Sequence, residues 1–154
     1  MSKKMRQKSA ELYLAITIQQ YKKGIIKAQE YQERIRRLHQ MVDKRTNIYK
    51  NFGALLEIKP NDTEIDSKAG RIHITLPTGN IIYFTLKDLI IYDPDPLPSI
   101  PHIHDGENKR KINIYTGKCN NRTKISENDI VNMWNDEQFY DRLKKNFQGI
   151  TSER

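Results

Sequence analysis

The residues in this chain that could do chemistry gather in a few short stretches. His102-Ile103-His104 is the most conspicuous. In a strand, side chains two apart share a face, so the two imidazoles would stand together, a geometry that can ligate a metal. Asp93, Asp95, Asp105 and Glu107 lie close in sequence and offer oxygen atoms. A metal site needs three or four protein ligands with a supporting shell, and the pattern places only two. The expectation is no metal and no cofactor. His102 and His104 would instead bond to a backbone that neighbouring prolines leave short of donors. No catalytic residue is assigned; were the chain an enzyme, these two histidines are the candidates. His73-Ile74-Thr75 has the form of half of a paired His-x-Thr arrangement that some phosphoesterases use. The other half would fall on His102-Ile103-His104, which lacks the hydroxyl, so His73 reads as a strand histidine. Cys119 follows Gly117-Lys118, but nothing fixes a base beside it, and a lone loop thiol is inert. No Gly-rich phosphate loop, Cys-x-x-Cys pair, Ser-His-Asp set or dinucleotide fingerprint occurs.

Basic residues form the other chemical signal. Lys109-Arg110-Lys111, with Lys118, Arg122 and Lys124, makes a secondary basic patch near Tyr115, and cations beside an aromatic ring suit single-stranded nucleic acid. The larger imbalance lies upstream. Residues 1–50 hold 13 Lys+Arg against 4 Asp+Glu, a balance of +9, whereas residues 51–154 balance at −1. A basic segment of this kind favours polyanions: nucleic acid, an anionic surface or an acidic protein face.

The elements that must position these groups follow from periodicity. Residues 9–46 read as one helix, with Ser9 as N-cap and Leu12 opening the apolar series. Leu14, Ile18, Tyr21, Ile25, Ala28, Ile35 and Val42 form a stripe that Gln32 and His39 interrupt. A continuous helix of that length spans about 57 Å, too long for so small a domain. Either it bends near Gly24 or part of it projects as a short coiled coil or groove-bound helix. Residues 54–58 read as a short strand and residues 62–70 as a loop. Arg71–Leu76 and Ile81–Leu86 alternate around a Pro77-Thr78-Gly79-Asn80 turn, a hairpin over 71–86. Residues 89–92 are a further apolar run. Four prolines in residues 93–101 forbid regular ladder pairing. A strand at 111–115, a turn at Thr116-Gly117-Lys118 and a helix from Ser126 through about Phe147 complete the chain. Ile130, Met133 or Trp134, Leu143 and Phe147 form the buried face of that last helix.

Composition bounds the class. Length fits one modest core, and 36% hydrophobic against 30% charged residues excludes a large one. No apolar run approaches the roughly 18 residues of a membrane span, and no leader-like apolar stretch follows the basic start. Asn61-Asp62-Thr63 and Asn121-Arg122-Thr123 match the glycosylation pattern, which has no meaning without secretion. One cysteine excludes an internal disulfide framework and fits a reducing compartment, the cytoplasm.

Pro101-His102-Ile103-His104, Ile112-Asn113-Ile114-Tyr115-Thr116-Gly117, Trp134 and Asn146-Phe147 together resemble a family of small bacterial domains of unknown function. Their pattern is Pro-His-x-His, a strand ending in Thr-Gly, and a C-terminal helix with a Trp and a closing Asn-aromatic pair. The resemblance covers residues 98–148 and implies that His102, His104 and Trp134 are signature positions without an assigned catalytic role. It also implies a setting beside toxin–antitoxin-type or DNA-binding partners. The order helix, antiparallel strands, proline-rich turn, histidine, helix also resembles ubiquitin-conjugating folds. Cys119 stands too far along for their catalytic cysteine, so that likeness implies an inactive, partner-binding variant.

The sequence therefore predicts an α+β protein: a long basic N-terminal helix, a small antiparallel sheet and a C-terminal helix. Its division is a basic helical segment 1–50 and an α+β domain 51–154, with a sub-boundary at 93–101. The expected role is a non-enzymatic binding component of a bacterial or phage assembly of toxin–antitoxin or defence type. Ile18, Tyr21, Ile25, Arg34, Arg36 and Arg37 would meet a protein partner, a second copy of the chain, or nucleic acid, with no membrane insertion. The competing class is a small hydrolase, with or without a metal, centred on His102 and His104.

Overall fold

The stripe read across residues 9–46 breaks in two, and a glycine explains the break. In the computed structural model, which describes residues 4–66, 71–76, 79, 81–85, 102–105, 110–118 and 123–152, helix α1 is Gln7–Lys22 and α2 is Ala28–Met41. Gly24 lies between them at φ +77°, a left-handed conformation that side chains resist. The Ile25 N–H donates to the Gln20 carbonyl at 2.9 Å and the Gly24 N–H to the Tyr21 carbonyl at 3.1 Å. These are the paired bonds of a Schellman stop, which satisfy carbonyls the helix end would leave orphaned. Tyr21 stacks on Tyr31 at one end of the pair, and Met5 bridges to Val42 at the other. The two helices therefore run antiparallel, a hairpin in place of the single long helix. The helix also starts earlier than Ser9: Arg6 is the N-cap, and the Ser9 hydroxyl donates to the Trp134 carbonyl at 2.6 Å.

Between its exposed ends helix α1 is buried on every side: Ser9, Ala10 and the whole run Leu12–Gln20 are interior, with Glu11 partly buried. A helix with no solvent face is the centre of a core. Thr17 and Gln20 find partners there, while Gln19 Oε1 and Gln20 Nε2 are buried without one among the described residues. The Thr17 hydroxyl donates to the Tyr13 carbonyl at 2.8 Å, and Gln20 Oε1 accepts from Arg34. Helix α2 covers one flank with Tyr31, Ile35, Leu38 and Met41. Two short helices follow, α3 (Asn47–Lys50) and α4 (Phe52–Glu57). The strand expected at 54–58 is thus a helical turn. Ala, Leu and Glu favour helix, and a short apolar run does not by itself distinguish the two states. The Leu55 carbonyl accepts the Tyr31 hydroxyl at 2.8 Å and the Leu56 carbonyl accepts Gln32 Nε2 at 3.2 Å, which fastens α4 to α2.

Three strands follow: β1 (Thr63–Asp66), β2 (Arg71–Thr75) and β3 (Ile81–Thr85). They pair antiparallel in that order. The β2–β3 hairpin stands where the alternation puts it, with Thr75 opposite Ile81 and Arg71 opposite Thr85. β1 occupies part of the expected 62–70 loop, with Thr63 buried opposite Ile74. A separate ribbon joins β4 (His102–Asp105) to β5 (Arg110–Asn113). The run at 89–92 and the proline segment 93–101 lie outside the described residues.

β5 ends two residues earlier than the sequence predicts, because Asn113 turns the chain. Its Oδ1 accepts from the Tyr115 N–H at 2.9 Å and the Thr116 N–H at 3.1 Å, an Asx turn. Gly117 completes it at φ +74°. Ile114 and Tyr115 reach the core from this turn, both buried. Ser126 caps α5 (Glu127–Asn135) by accepting from the Asp129 N–H at 3.1 Å. The expected single C-terminal helix breaks at Asp136, whose carboxylate accepts from the Phe139 N–H at 2.9 Å and so starts α6 (Glu137–Ser152).

The core joins both ends of the chain. Trp134 is fully buried and its ring lies 5.0 Å from that of Tyr13 and 5.3 Å from that of Phe139. Its indole N–H donates to the Ile114 carbonyl at 2.9 Å. Asn135 accepts from the Arg6 N–H and donates to the Lys4 carbonyl, both at 3.0 Å. The architecture is α+β, with α1 central, α2 and α4 on one side and α5 and α6 on the other.

Candidate functional site

The two histidine motifs fall in different sheets. His102 and His104 occupy alternate positions of β4, opposite Asn113 and Lys111. Asp105 is opposite Arg110, so the ribbon sets the histidine stretch beside two residues of the secondary basic patch. Lys109 and Cys119 lie outside the described residues. His73 is in β2, half-buried, opposite Glu64 and Tyr83. The two halves of the phosphoesterase-like arrangement therefore sit on separate ladders.

The N-terminal set divides between interior and surface. Ile18 is 1% exposed and Arg34 2% exposed, so both are core residues of this chain, a correction to their reading as surface contacts. Tyr21 and Ile25 are half-buried at the α1–α2 turn; Arg36 is exposed and Arg37 half-buried. On a helix, Arg34, Ile35 and Leu38 share the inward side, while Arg36 is turned outward.

Arg34 shows how a buried charge is accommodated. Its guanidinium donates to Gln20 Oε1 and to Glu30 Oε2, both at 2.7 Å, and lies 3.8 Å over the Tyr115 ring. The Tyr13 hydroxyl donates to the Arg34 carbonyl at 3.1 Å. Paired, hydrogen-bonded and stacked, this charge is a structural post between α1, α2 and the 114–117 turn. Burial pushes the hydroxyls of Tyr13 and Tyr115 well above the ordinary tyrosine range, so both stay protonated.

The surface at the end of α2 is organised differently. The His39 ring is 3.8 Å from Phe52 at 21° and 4.5 Å from Tyr49 at 14°. Two rings nearly parallel to one imidazole and both this close cannot share a face of it without overlapping. They lie on opposite faces, so His39 is the middle plate of an aromatic stack joining α2, α3 and α4. Thr46 sets this geometry: its hydroxyl donates to the Asp43 carbonyl at 2.9 Å and accepts from the Tyr49 N–H at 3.2 Å. All three rings are only half-buried.

Cations neighbour the stack in sequence. Arg36 is one turn before His39 on α2, Lys44 lies in the connecting turn, and Lys50 follows Tyr49; all are exposed. Asp43 is already engaged by Arg45 through its backbone N–H, Nε and a terminal nitrogen at 2.7–3.0 Å. Those bonds hold its carboxyl well below the usual carboxylate range. Glu30 is engaged by Arg34, and Glu137 by Arg6 and Lys8. Lys27, Arg36, Arg37, Lys44 and Lys50 have no ion-pair partner among the described residues. Glu33 shares the outer face of α2 and is the carboxylate that offsets part of this charge. The sequence pointed to Arg36 and Arg37 but not to His39, Tyr49, Phe52, Lys44 or Lys50. His39 interrupts the apolar stripe, and that interruption was the available signal.

Comparison of the chain with protein-family models, with curated proteins and with solved structures finds no match.

Proposed function

We propose that this protein is a non-enzymatic binding component that holds nucleic acid on the outer face of α2 and the turn that follows it. The observation behind this reading is a set of cations without carboxylate partners among the described residues: exposed Arg36, Lys44 and Lys50 near the aromatic stack in sequence, with exposed Lys27 at the start of α2 and half-buried Arg37 along it. Unneutralised cations on a rigid element attract polyanions by releasing their condensed counterions. The resemblance of residues 98–148 to small bacterial Pro-His-x-His domains supports placing the protein in a cytoplasmic toxin–antitoxin or defence assembly. Among the described residues no helix is long and apolar enough to cross a membrane.

Deleting residues 1–50 is not a usable test, because it would take α1 out of the core. Charge reversal at exposed positions is. The triple change Arg36→Glu, Lys44→Glu, Lys50→Glu should leave the fold intact and reduce the log–log salt slope on duplex DNA by about 2.7, at about 0.9 per phosphate. A slope near zero for the unmodified protein on duplex and single-stranded DNA alike, or one the triple change leaves unaltered, would overturn the proposal.

A further inference from the structure

We infer that the surface formed by His39, Tyr49 and Phe52 with Arg36, Lys44 and Lys50 takes single-stranded nucleic acid, its bases stacking on the aromatic plates while the cations follow the phosphates. This rests on the nucleic-acid reading above and names the form of the ligand.

The argument begins from what the stack leaves open. His39 has both faces covered, by Tyr49 on one and Phe52 on the other. Tyr49 and Phe52 are the ends of the column; each packs in part against the core and retains part of its solvent exposure. A column of three near-parallel rings stays rigid when a fourth flat ring is added, because no side chain need reorder. The column is anchored at three places: α2 through His39, α3 through the Thr46 cap on Tyr49, and α4 through the Tyr31 and Gln32 bonds to its carbonyls.

Charge complementarity then selects the partner. An apolar protein segment would be met by aromatic plates alone. Here Arg36, one helical turn from His39, Lys44 in the turn between α2 and α3, and Lys50 next to Tyr49 are exposed and without carboxylate partners among the described residues. Cations beside stacking rings match a chain of alternating phosphates and unpaired bases. In a duplex the bases are already stacked on one another and present only their edges and backbone. An acidic peptide would satisfy the cations and leave the plates without a use.

The test compares ligands of equal phosphate number on the full-length protein: an oligo-dT strand of about ten nucleotides, the same strand without bases, and a duplex. Fluorescence anisotropy at one salt concentration reads all three. The expected result is oligo-dT binding about 5–100-fold tighter than the abasic strand. Tyr49→Leu should remove most of that difference and Tyr49→Phe should keep it, while the abasic affinity stays the same in both. Equal binding of oligo-dT and the abasic strand by the unmodified protein overturns this inference and leaves the nucleic-acid proposal standing. Absence of salt-dependent binding to all three ligands overturns both. Should Tyr49→Leu fail to fold, the oligo-dT and abasic comparison on the unmodified protein decides alone.

Discussion

Replacing Trp134 by Phe tests the core at its most connected point. The indole N–H donates to the Ile114 carbonyl, and Ile114 is 1% exposed. Removing the donor leaves that carbonyl buried without a partner, at a cost of about 1–3 kcal/mol. The smaller ring also leaves a void between Tyr13, Tyr115 and Phe139, about 1 kcal/mol more. A Phe ring retains part of the edge contacts, so the total is about 3 kcal/mol. For a chain of this length that lowers Tm by about 6–12 °C. Trp134→Ala, which also loses the ring contacts, should cost about 3–5 kcal/mol. Far-UV circular dichroism with urea and with heat measures both variants. Trp134 is the sole tryptophan, so fluorescence of the unmodified protein should report the same midpoint as circular dichroism. A Trp134→Phe loss below about 1 kcal/mol with an unchanged urea slope would refute the packing described here.

Gly117→Ala should cost about 2–4 kcal/mol, since φ is +74° and a Cβ would meet Ile125 and Ile130 side-chain carbons at 2.9 Å. Gly24→Ala, equally left-handed but with open space around it, should cost only about 1–2 kcal/mol; urea denaturation of the pair separates strain from crowding. Glu137 gives a pH signature. Hydrogen bonds from Lys8 and then Arg6 hold its carboxyl below the ordinary value of 4.5, so the stabilisation is present above that value and is lost as pH falls through the depressed one. The Tm deficit of Glu137→Gln should therefore appear at neutral pH and vanish in acid, whereas a deficit independent of pH would mean the pair contributes nothing through charge.

The legible parts of this fold were those specified within a few residues. The β2–β3 hairpin was written in its alternation and its Pro77-Thr78-Gly79-Asn80 turn, and Ser126 announced its helix as an N-cap. The Gly24 break was visible as a soft point, but a helix stop differs from a bend only through the Schellman bonds around it. The 54–58 segment failed because its register is decided by Tyr31 and Gln32 on another helix. Asp136 failed because an acidic residue inside an amphipathic pattern becomes a cap only where the chain must turn. Of the candidate site, charge was legible and stacking was not. His39, Tyr49 and Phe52 meet across two turns, and only the arrangement of α2, α3 and α4 brings them together. Arg34 misled for the opposite reason: composition counts a charge without saying that Gln20, Glu30 and Tyr115 enclose it.

The burial of α1 on all sides bears on how the protein is made. The ribosome makes α1 well before part of its cover, α5 and α6, whose Tyr140 is synthesised roughly 120 residues after Lys22. At about 5–20 residues per second that interval is about 6–24 s. During it the nascent chain holds Leu12, Leu14, Ile16 and Ile18 on a helix that α2 can shield on only one flank. Until Trp134 and Tyr140 leave the exit tunnel, those side chains are apolar surface of the kind a chaperone binds.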